Sequence, residues 1–137
     1  MRDPTNTAAA LALALAALTL GACERPQQQE GPGIDTARLK TLATPAKHQA
    51  GEQAFDARCA SCHGDKALGT AQGPPLVHIY YEPNHHGDGS FQVAAARGVA
   101  QHHWSFGNMP PVPGTTPEEV SRITEYVRWL QREAGVY

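Results

Sequence analysis

The chain has 137 residues, of which 41% are hydrophobic and 18% are charged, and this size and composition predict one small folded domain. The net charge of -2 and the lack of a basic block exclude the usual pattern of a nucleic-acid-binding protein. Only 7% of the residues are aromatic, so few large side chains are available for the core. A domain of about 100 residues or fewer is marginally stable unless a bound cofactor or another cross-link stabilises it.

The first 22 residues have the pattern of an export signal. Residues 8–20 form an uninterrupted run of Ala, Leu and Thr, which is too short to cross a bilayer and fits the apolar part of a secretory signal. The run ends in Leu20-Gly21-Ala22-Cys23, which resembles the lipobox of bacterial lipoproteins, where the cysteine is lipidated. We therefore expect an exported protein on the periplasmic side, anchored to a membrane through Cys23. Ordinary cleavage near Ala22 is the alternative.

Residues 23–45 predict a flexible tether between this signal and the folded domain. Pro, Gly, Gln and scattered charges dominate the segment, and such a composition buries too little apolar surface to fold alone. Its apolar residues Ile34, Leu39 and Leu42 predict at most a weak local turn. A tether would let the domain of residues 46–137 meet several partners near the membrane surface.

The domain is predicted to begin with a helix that starts after Pro45 and ends near Ala57. Gly51, Phe55 and Cys59 recur at i, i+4 and i+8, so they share one helix face. The run Cys59-Ala60-Ser61-Cys62-His63 follows, and its C-x-x-C-H spacing is typical of covalent c-type haem attachment. Zinc sites and thiol redox centres also use C-x-x-C, so the motif alone leaves these alternatives open.

A second helix is predicted in the middle of the domain, where Asp88 or Ser90 caps a segment that ends near Gly98. No segment of the chain alternates regularly enough to predict a strand. The domain is therefore expected to be all-α, with three or more short helices and long loops rich in Pro and Gly.

The last helix has the clearest signals in the chain. Thr116 is expected as its N-cap, Pro117 as its first residue and Gly135 as its stop. Apolar residues at helical spacing predict the buried face of this helix. They are Val120, Ile123, Val127 and Leu130, which form one apolar stripe.

Four motifs in this order resemble those of class I c-type cytochromes over nearly all of residues 46–135. The C-x-x-C-H run comes first, and Gly73-Pro74-Pro75-Leu76 is similar to the G-P-x-L element of the family. Asn108-Met109-Pro110-Pro111 comes next. The helix that carries Gly51 and Phe55, with Tyr126 opposite, resembles the terminal helix pair of that family. The resemblance implies terminal helices packed on each other and loops that wrap one covalent haem c.

The resemblance also implies a role for each site residue. Cys59 and Cys62 would attach the haem, and His63 and Met109 would bind its iron from the two sides. The carbonyl group of Pro74 would accept a hydrogen bond from His63, which orients a ligating imidazole and raises its basicity. Leu76 would press against the haem.

An iron with both axial positions filled has no open site for a substrate. Peroxidase, oxygenase and gas-binding functions are therefore not expected, and the chain is predicted to be a one-electron carrier and not an enzyme. It would pass electrons between membrane or periplasmic redox proteins. A role as the cytochrome subunit of a larger membrane oxidoreductase is an alternative.

The loops between the two expected iron ligands hold a surplus of histidines, which are His78, His85, His86, His102 and His103. On the simplest interpretation they are solvated or contact the haem propionates, while Trp104 and Phe106 shield the methionine side of the haem. Alternatively, the two doublets bind a second metal, with copper held most tightly, and the protein is a copper-binding accessory cytochrome. Replacement of Met109 by His102 or His103 at the iron, and a pH-dependent potential, also stay open.

Overall fold

The computed structural model describes residues 34–136 as a set of helices joined by long loops. The five α-helices are α1 (Thr36–Thr41), α2 (Ala46–Arg58), α3 (Ala60–His63), α4 (Asp88–Arg97) and α5 (Pro117–Glu133), and two 3-10 turns cover Asp65–Ala67 and Ile79–Tyr81. Within the described range the β-structure is limited to one antiparallel bridge, between Val99 and Met109. The all-α prediction is therefore confirmed. None of the helices in residues 34–136 is both long and apolar enough to cross a membrane.

Helix α5 begins and ends where the sequence predicts. The Thr116 hydroxyl accepts a hydrogen bond from the Glu119 N–H group at 3.2 Å, and Pro117 is the first helical residue. The helix ends at Glu133, and Gly135 follows with a positive φ of 80°. All four residues of the predicted stripe are buried. A side-chain cap with Pro at the first position and a continuous apolar stripe thus suffices to define this element.

Helices α2 and α5 cross at Gly51, as the sequence predicts. A Cβ atom at this position would lie 2.2 Å from the Arg122 carbonyl oxygen and 2.9 Å from the Tyr126 Cβ atom. Only glycine permits the two backbones to approach this closely. One turn further, the fully buried rings of Phe55 and Tyr126 pack with their centroids 5.7 Å apart. This crossing forms the centre of the hydrophobic core.

Residues 34–45 differ from the predicted tether, because they hold a short helix that packs on the domain. In α1, Leu39 is fully buried in the core. The Asp35 carboxylate accepts a hydrogen bond from the Arg38 N–H group at 2.9 Å, and the Arg38 guanidinium lies 2.6 Å from the Glu133 carboxylate. Leu39, with Ile34 and Leu42 packed beside it on the core, and the Arg38–Glu133 ion pair dock the segment, although its composition is poor in apolar residues. The rest of the predicted tether (23–33), the signal segment and Cys23 lie outside the described residues.

Helix α4 lies close to its predicted position, but its start is built differently. Gly87 occupies the N-cap position, and neither Asp88 nor Ser90 caps the helix with its side chain. The Ser90 hydroxyl instead donates to the Gly87 carbonyl oxygen at 2.7 Å, and the Asp88 carboxylate lies 2.7 Å from the Arg128 guanidinium. This ion pair fixes the start of α4 against α5.

Candidate functional site

A predominantly apolar cavity of about 790 Å³ opens between α3, α4, the loop of residues 98–113 and one face of α5. Its volume lies within the range of about 300–1,000 Å³ that is usual for ligand and cofactor sites. The structure brings all six residues of the predicted haem site to its wall, and these are Cys59, Cys62, His63, Pro74, Leu76 and Met109. Residues that are up to 50 positions apart in the sequence thus face one space.

His63 is the last residue of α3, and its imidazole is held in one orientation. Its Nδ1 atom lies 2.9 Å from the Pro74 carbonyl oxygen, which is the contact that the family resemblance implies. Since a carbonyl oxygen only accepts, Nδ1 carries the proton and Nε2 keeps its lone pair. Burial lowers the pKa of His63 below its ordinary value, and the hydrogen bond to Pro74 opposes this shift. The ring is therefore presented as a neutral ligand.

The two motif cysteines lie on the same short stretch of chain as His63. The His63 N–H group donates to the Cys59 carbonyl oxygen at 2.9 Å, and this turn holds the motif together. Both thiols are free, and burial raises the pKa of Cys59 to about 11. A thiol with a raised pKa is a poor nucleophile for disulfide exchange, so the thiol redox alternative is not favoured. Nor do Cys59, Cys62 and His63 gather as the ligands of a zinc ion, since the three-donor group found within residues 34–136 lies elsewhere.

Met109 lies in the opposite loop, which is closed by paired backbone hydrogen bonds. The Val99 N–H group donates to the Met109 carbonyl oxygen, and the Met109 N–H group donates back to Val99, each at 2.9 Å. Gly98 makes this pairing possible, because its φ is 74° and a Cβ atom there would lie 2.3 Å from the Met109 carbonyl oxygen. The backbone of Met109 is therefore fixed without any contribution from a cofactor.

A tight turn after the motif positions the Pro74 and Leu76 segment. Lys66 and Ala67 adopt positive φ angles of 52° and 56°, a conformation that costs roughly 1–2 kcal/mol for a residue other than glycine. The Lys66 ammonium lies 2.7 Å from the Glu52 carboxylate on α2, and this bond offsets part of the cost. The Ala67 carbonyl oxygen then accepts from the Leu76 N–H group at 2.8 Å. The turn thus links α2 to the wall of the cavity.

Glu52 is held ionised by its partners. Burial alone would raise the pKa of this carboxyl group, but hydrogen bonds from Lys66 and Thr44 outweigh burial and leave the pKa lowered. The Tyr126 hydroxyl also donates to Glu52, at 3.3 Å. One carboxylate therefore ties α2 both to the turn and to α5.

Two aromatic side chains close the methionine side of the cavity. Trp104 and Phe106 line it, with ring centroids 6.2 Å apart. The Trp104 indole N–H group is buried and has no partner at hydrogen-bond geometry among the described residues, although Trp104 is near enough to the Tyr81 hydroxyl to affect its pKa. Apolar walls with one buried N–H group that has no hydrogen-bond partner fit a flat macrocycle that carries polar substituents. The site therefore fits the covalent haem that the motifs predict.

The two histidine doublets lie side by side at the edge of this cavity. One nitrogen from each of His85, His86 and His103 lies within 4.8 Å of the others, and His102 adjoins them. The fifth histidine, His78, is separate and packs its buried ring against Tyr80 and Trp104. Burial lowers the pKa of His103, and the neighbouring histidines lower it further.

Two functional supports were not predicted from the sequence. Arg128 and Gln131 of α5 are buried, and both bind backbone carbonyl groups of the loops that flank the cavity. Their spacing with the buried Thr124, at i, i+4 and i+7, forms a second buried stripe beside the apolar one. That spacing is only a weak signal of burial, since polar residues on the predicted solvent face of a helix are usually exposed, and it does not identify the carbonyl groups that these side chains bind.

Comparison with known proteins agrees with this geometry. The sequence pattern of the family described as cytochrome c matches residues 48–131, which cover more than half of the chain. Searches of curated proteins and of solved structures gave no significant match. The match begins within α2, ends within α5 and includes every residue that lines the predicted haem site. The chain belongs to the cytochrome c family, which implies a covalently bound haem c and a function in haem-based electron transfer.

Proposed function

We propose that this protein is a periplasmic one-electron carrier whose haem iron is bound by His63 and Met109. The observation that carries the proposal is that both residues line one cavity with the two attachment cysteines and that each is held by a neighbour, the His63 imidazole by the Pro74 carbonyl group and the Met109 backbone by Val99. When bound, the haem supplies an iron that changes its charge by one electron. Because a thioether ligand favours ferrous iron, His/Met ligation raises the reduction potential.

The remaining wall residues are largely apolar and reach an exposed rim that a partner could contact. Leu76, Trp104 and Phe106 surround the space with apolar surface. Val93 of α4 also lines the cavity, and it is 53% exposed, so the cavity opens at an apolar rim. With His63 and Met109 both bound to the iron, no ligand position would remain for a substrate. The arrangement supports electron exchange with a redox protein at this rim and not catalysis.

The proposed location rests on the amino-terminal sequence. The apolar run of residues 8–20 followed by Leu20-Gly21-Ala22-Cys23 supports export and a lipid anchor on the periplasmic side. Mass spectrometry of the membrane-bound protein tests it, and a lipid-modified Cys23 at the mature amino terminus is the expected result. An unmodified amino terminus on a freely released protein would contradict the anchor.

The proposed partners are redox proteins at the membrane or in the periplasm. Gentle solubilisation and purification of the full chain distinguishes a mobile carrier from a fixed subunit. A carrier is expected to purify alone, whereas stoichiometric recovery with an oxidoreductase would favour the subunit alternative.

Spectra of the haem-loaded protein test the ligand assignment. The oxidised protein is expected to show the charge-transfer band that a methionine sulfur bound to ferric iron produces, and Met109→Ala is expected to abolish it. Val112→Ala changes an apolar side chain that lines the same cavity from the same loop, so it serves as the matched control and is expected to keep the band. Absence of the band from the unmodified protein, or its survival in Met109→Ala, would show that Met109 is not the ligand.

A further inference from the structure

Two loops bring four histidine side chains together beside the haem cavity. The Nε2 atoms of His85 and His103 are 3.2 Å apart, and those of His86 and His102 are 3.4 Å apart. The rings of His102 and His103 lie with their centroids 4.2 Å apart, so the two pairs adjoin. We refer to these four residues as the histidine cluster. The proposed electron-transfer function does not need them, since Cys59, Cys62, His63 and Met109 would attach and bind the haem.

The hydrogen bonds within the cluster determine which nitrogen atoms carry protons. His86 Nδ1 donates to the Tyr80 carbonyl oxygen, and His102 Nδ1 donates to the Ala100 carbonyl oxygen at 2.9 Å. In their neutral forms both residues therefore keep a lone pair on Nε2, because a neutral imidazole has one N–H group. These two lone pairs face each other at 3.4 Å, and a cation must lie between them or beside them to make the contact favourable.

The same hydrogen bonds are those of a metal-binding histidine. Ligating imidazoles nearly always donate their second ring N–H group to a carbonyl or carboxylate oxygen, which fixes the tautomer and the ring orientation. His86 and His102 both have this arrangement with backbone carbonyl groups. The Nε2 atoms of His85 and His103 form a hydrogen bond, in which one nitrogen donates and the other accepts. The accepting nitrogen therefore has a lone pair that is directed into the cluster.

The spacing of the nitrogen atoms fits ligands that share one ion. Two nitrogens that bind one ion at about 2.0–2.1 Å are about 3.3 Å from each other in a tetrahedral site and about 2.9 Å in the square-planar site that Cu²⁺ prefers. The observed Nε2 separations of 3.2 Å and 3.4 Å match the tetrahedral value and exceed the square-planar one by only about 0.3–0.5 Å. The donor nitrogens of His85, His86 and His103 all lie within 4.8 Å of one another, which is about 1.5 Å more than the tetrahedral spacing. The third nitrogen therefore needs to move by no more than about 1.5 Å to bind an ion held by the other two.

The first loop of the cluster is held in place by α5. The Arg128 guanidinium donates to the carbonyl oxygens of His86 and Tyr81 and to the Asp88 carboxylate, so it fixes the backbone on both sides of His86. Arg128 is only 6% exposed and lies over the Phe91 ring, 5.1 Å from the ring centroid. This support does not depend on any metal.

The second loop of the cluster is closed by its own side chains. The Asn108 amide oxygen accepts from the Gln101 N–H group at 3.0 Å, and the Gln101 side chain accepts from the Gly107 N–H group at 2.7 Å. The Val99–Met109 bridge closes the base of the same loop. Both histidine-bearing segments are therefore preorganised, which reduces the entropy that a ligand must offset on binding.

We propose that the histidine cluster binds one divalent transition-metal ion, with Cu²⁺ bound most tightly. His85, His86 and His103 supply the closest group of donors, and His102 supplies a fourth imidazole. Neutral imidazoles suit copper, nickel and zinc, and copper has the highest affinity for such a site among the divalent ions of the first row. His86, His102 and His103 also line the haem cavity, so the ion lies at its edge. The proposal holds with or without Met109 as an iron ligand, and it requires only that neither His102 nor His103 binds the haem iron.

Titration of Cu²⁺ into the oxidised, haem-loaded protein tests the proposal. Calorimetry is expected to show one saturable site per chain, and electron paramagnetic resonance is expected to show copper bound by several imidazole nitrogens. The double substitution His86→Asn with His103→Asn is expected to weaken binding by more than about 100-fold, since the loss of a single outer partner already costs 10–100-fold. Haem spectra and circular dichroism check that this variant is folded.

Two further variants keep the test decisive. His85→Asn changes an exposed donor and is expected to weaken binding without affecting the fold, so it replaces the double variant if that one is unstable. His48→Phe changes a buried histidine outside the cluster and is expected to bind copper unchanged. The proposal is overturned if the unmodified protein shows no saturable site, or if binding survives when the cluster histidines are replaced. The first result would indicate that a shared proton, and not a metal, stabilises the facing nitrogens.

Discussion

His48 shows how a single buried side chain can set a pH dependence. Its imidazole is 8% exposed and stacks on Trp129, with ring centroids 5.5 Å apart. Neither ring nitrogen has a hydrogen-bond partner among the described residues, which is unusual for a buried polar group. Burial lowers the pKa of His48 below 6.5, and the positive charges of Lys47 and Arg132 lower it further, against an opposing effect of Glu125. The folded protein therefore favours neutral His48.

Acid is expected to destabilise the fold through this residue. As the pH falls below about 6.5 the unfolded chain takes up the proton first, so the contribution of His48 is fully present above that pH and is lost as the pH falls towards the folded-state pKa. His48→Phe keeps the stacked ring and removes the titrating group. The variant is expected to lose less unfolding free energy between about pH 7.5 and about pH 5 than the unmodified protein. Urea denaturation of both haem-loaded proteins measures this, and equal losses would contradict it.

Single residues were predictable where a motif states their chemistry. C-x-x-C-H and G-P-x-L point to His63 and Pro74, and the structure has the hydrogen bond between them. Arg128 was not predictable, because its partners are carbonyl groups of a distant loop that no sequence pattern identifies. Sequence reasoning sees side-chain types and spacings, whereas Arg128 acts on the backbone of another segment.

At the scale of elements, the crossing of α2 and α5 depends on one glycine. Gly51→Ala would place a Cβ atom against the backbone of Arg122, which cannot move aside as a flexible side chain does. Forcing the helices apart costs typically 1–3 kcal/mol, and the better helix propensity of alanine recovers up to about 1 kcal/mol. The variant is expected to be less stable by about 1–2 kcal/mol in urea denaturation.

Gly89→Ala is the matched control for this helix substitution. Gly89 lies in the first turn of α4, and a Cβ atom there has no neighbour within 4 Å. The control is expected to be unchanged or more stable by about 0.5 kcal/mol, because only helix propensity changes. Equal effects of the two substitutions would mean that close approach at Gly51 does not limit the packing.

The elements differ in how far the sequence predicts them. Helix α5 has a cap, a first-turn proline and a continuous apolar stripe, so its bounds were predictable. Helix α1 has only Leu39 fully buried, and it is held by the packing of that residue in the core and, to a smaller extent, by the exposed Arg38–Glu133 ion pair, which joins residues 95 positions apart. Local patterns therefore predict helices that carry their own signals, and they miss a segment that becomes helical by docking.

At the scale of the whole molecule, the haem site and the histidine cluster share their supports. Helix α5 packs on α2 through Tyr126, faces the cavity through Val120 and Ile123, and fixes the first histidine loop through Arg128. The loop of residues 98–113 carries Met109 at its base and the second histidine doublet above it. An ion bound by the cluster would therefore act on the loop that holds the proposed sulfur ligand.

The cavity also links the packing of the fold to its cofactor. Without the haem, the predominantly apolar wall of the cavity would be exposed to water, which costs about 25 cal/mol per Å² of apolar surface. The total stability of a domain is usually only about 5–15 kcal/mol, so this exposure is expected to loosen the packing around the cavity. We therefore expect that the double substitution Cys59→Ser with Cys62→Ser, which removes the attachment points, yields a loosely packed protein. Helical content should survive in part, because the cap of α5 and the core residues Val127 and Leu130 of its stripe do not line the haem cavity.

Circular dichroism and dye binding measure this loss of packing. The double variant is expected to keep part of its far-ultraviolet signal, to lose its near-ultraviolet signal and to bind a hydrophobic dye, which together define a compact state without fixed side-chain packing. Ser61→Ala alters the exposed residue between the two cysteines and leaves both thiols in place, so it is expected to retain the haem and the native spectra. A haem-free variant that unfolds cooperatively with an intact near-ultraviolet spectrum would show that the helices and the ion pairs suffice. In that case the haem would not contribute to the packing of the fold. The size of the cavity and the small number of aromatic residues in the chain indicate instead that the haem is a structural part of the domain.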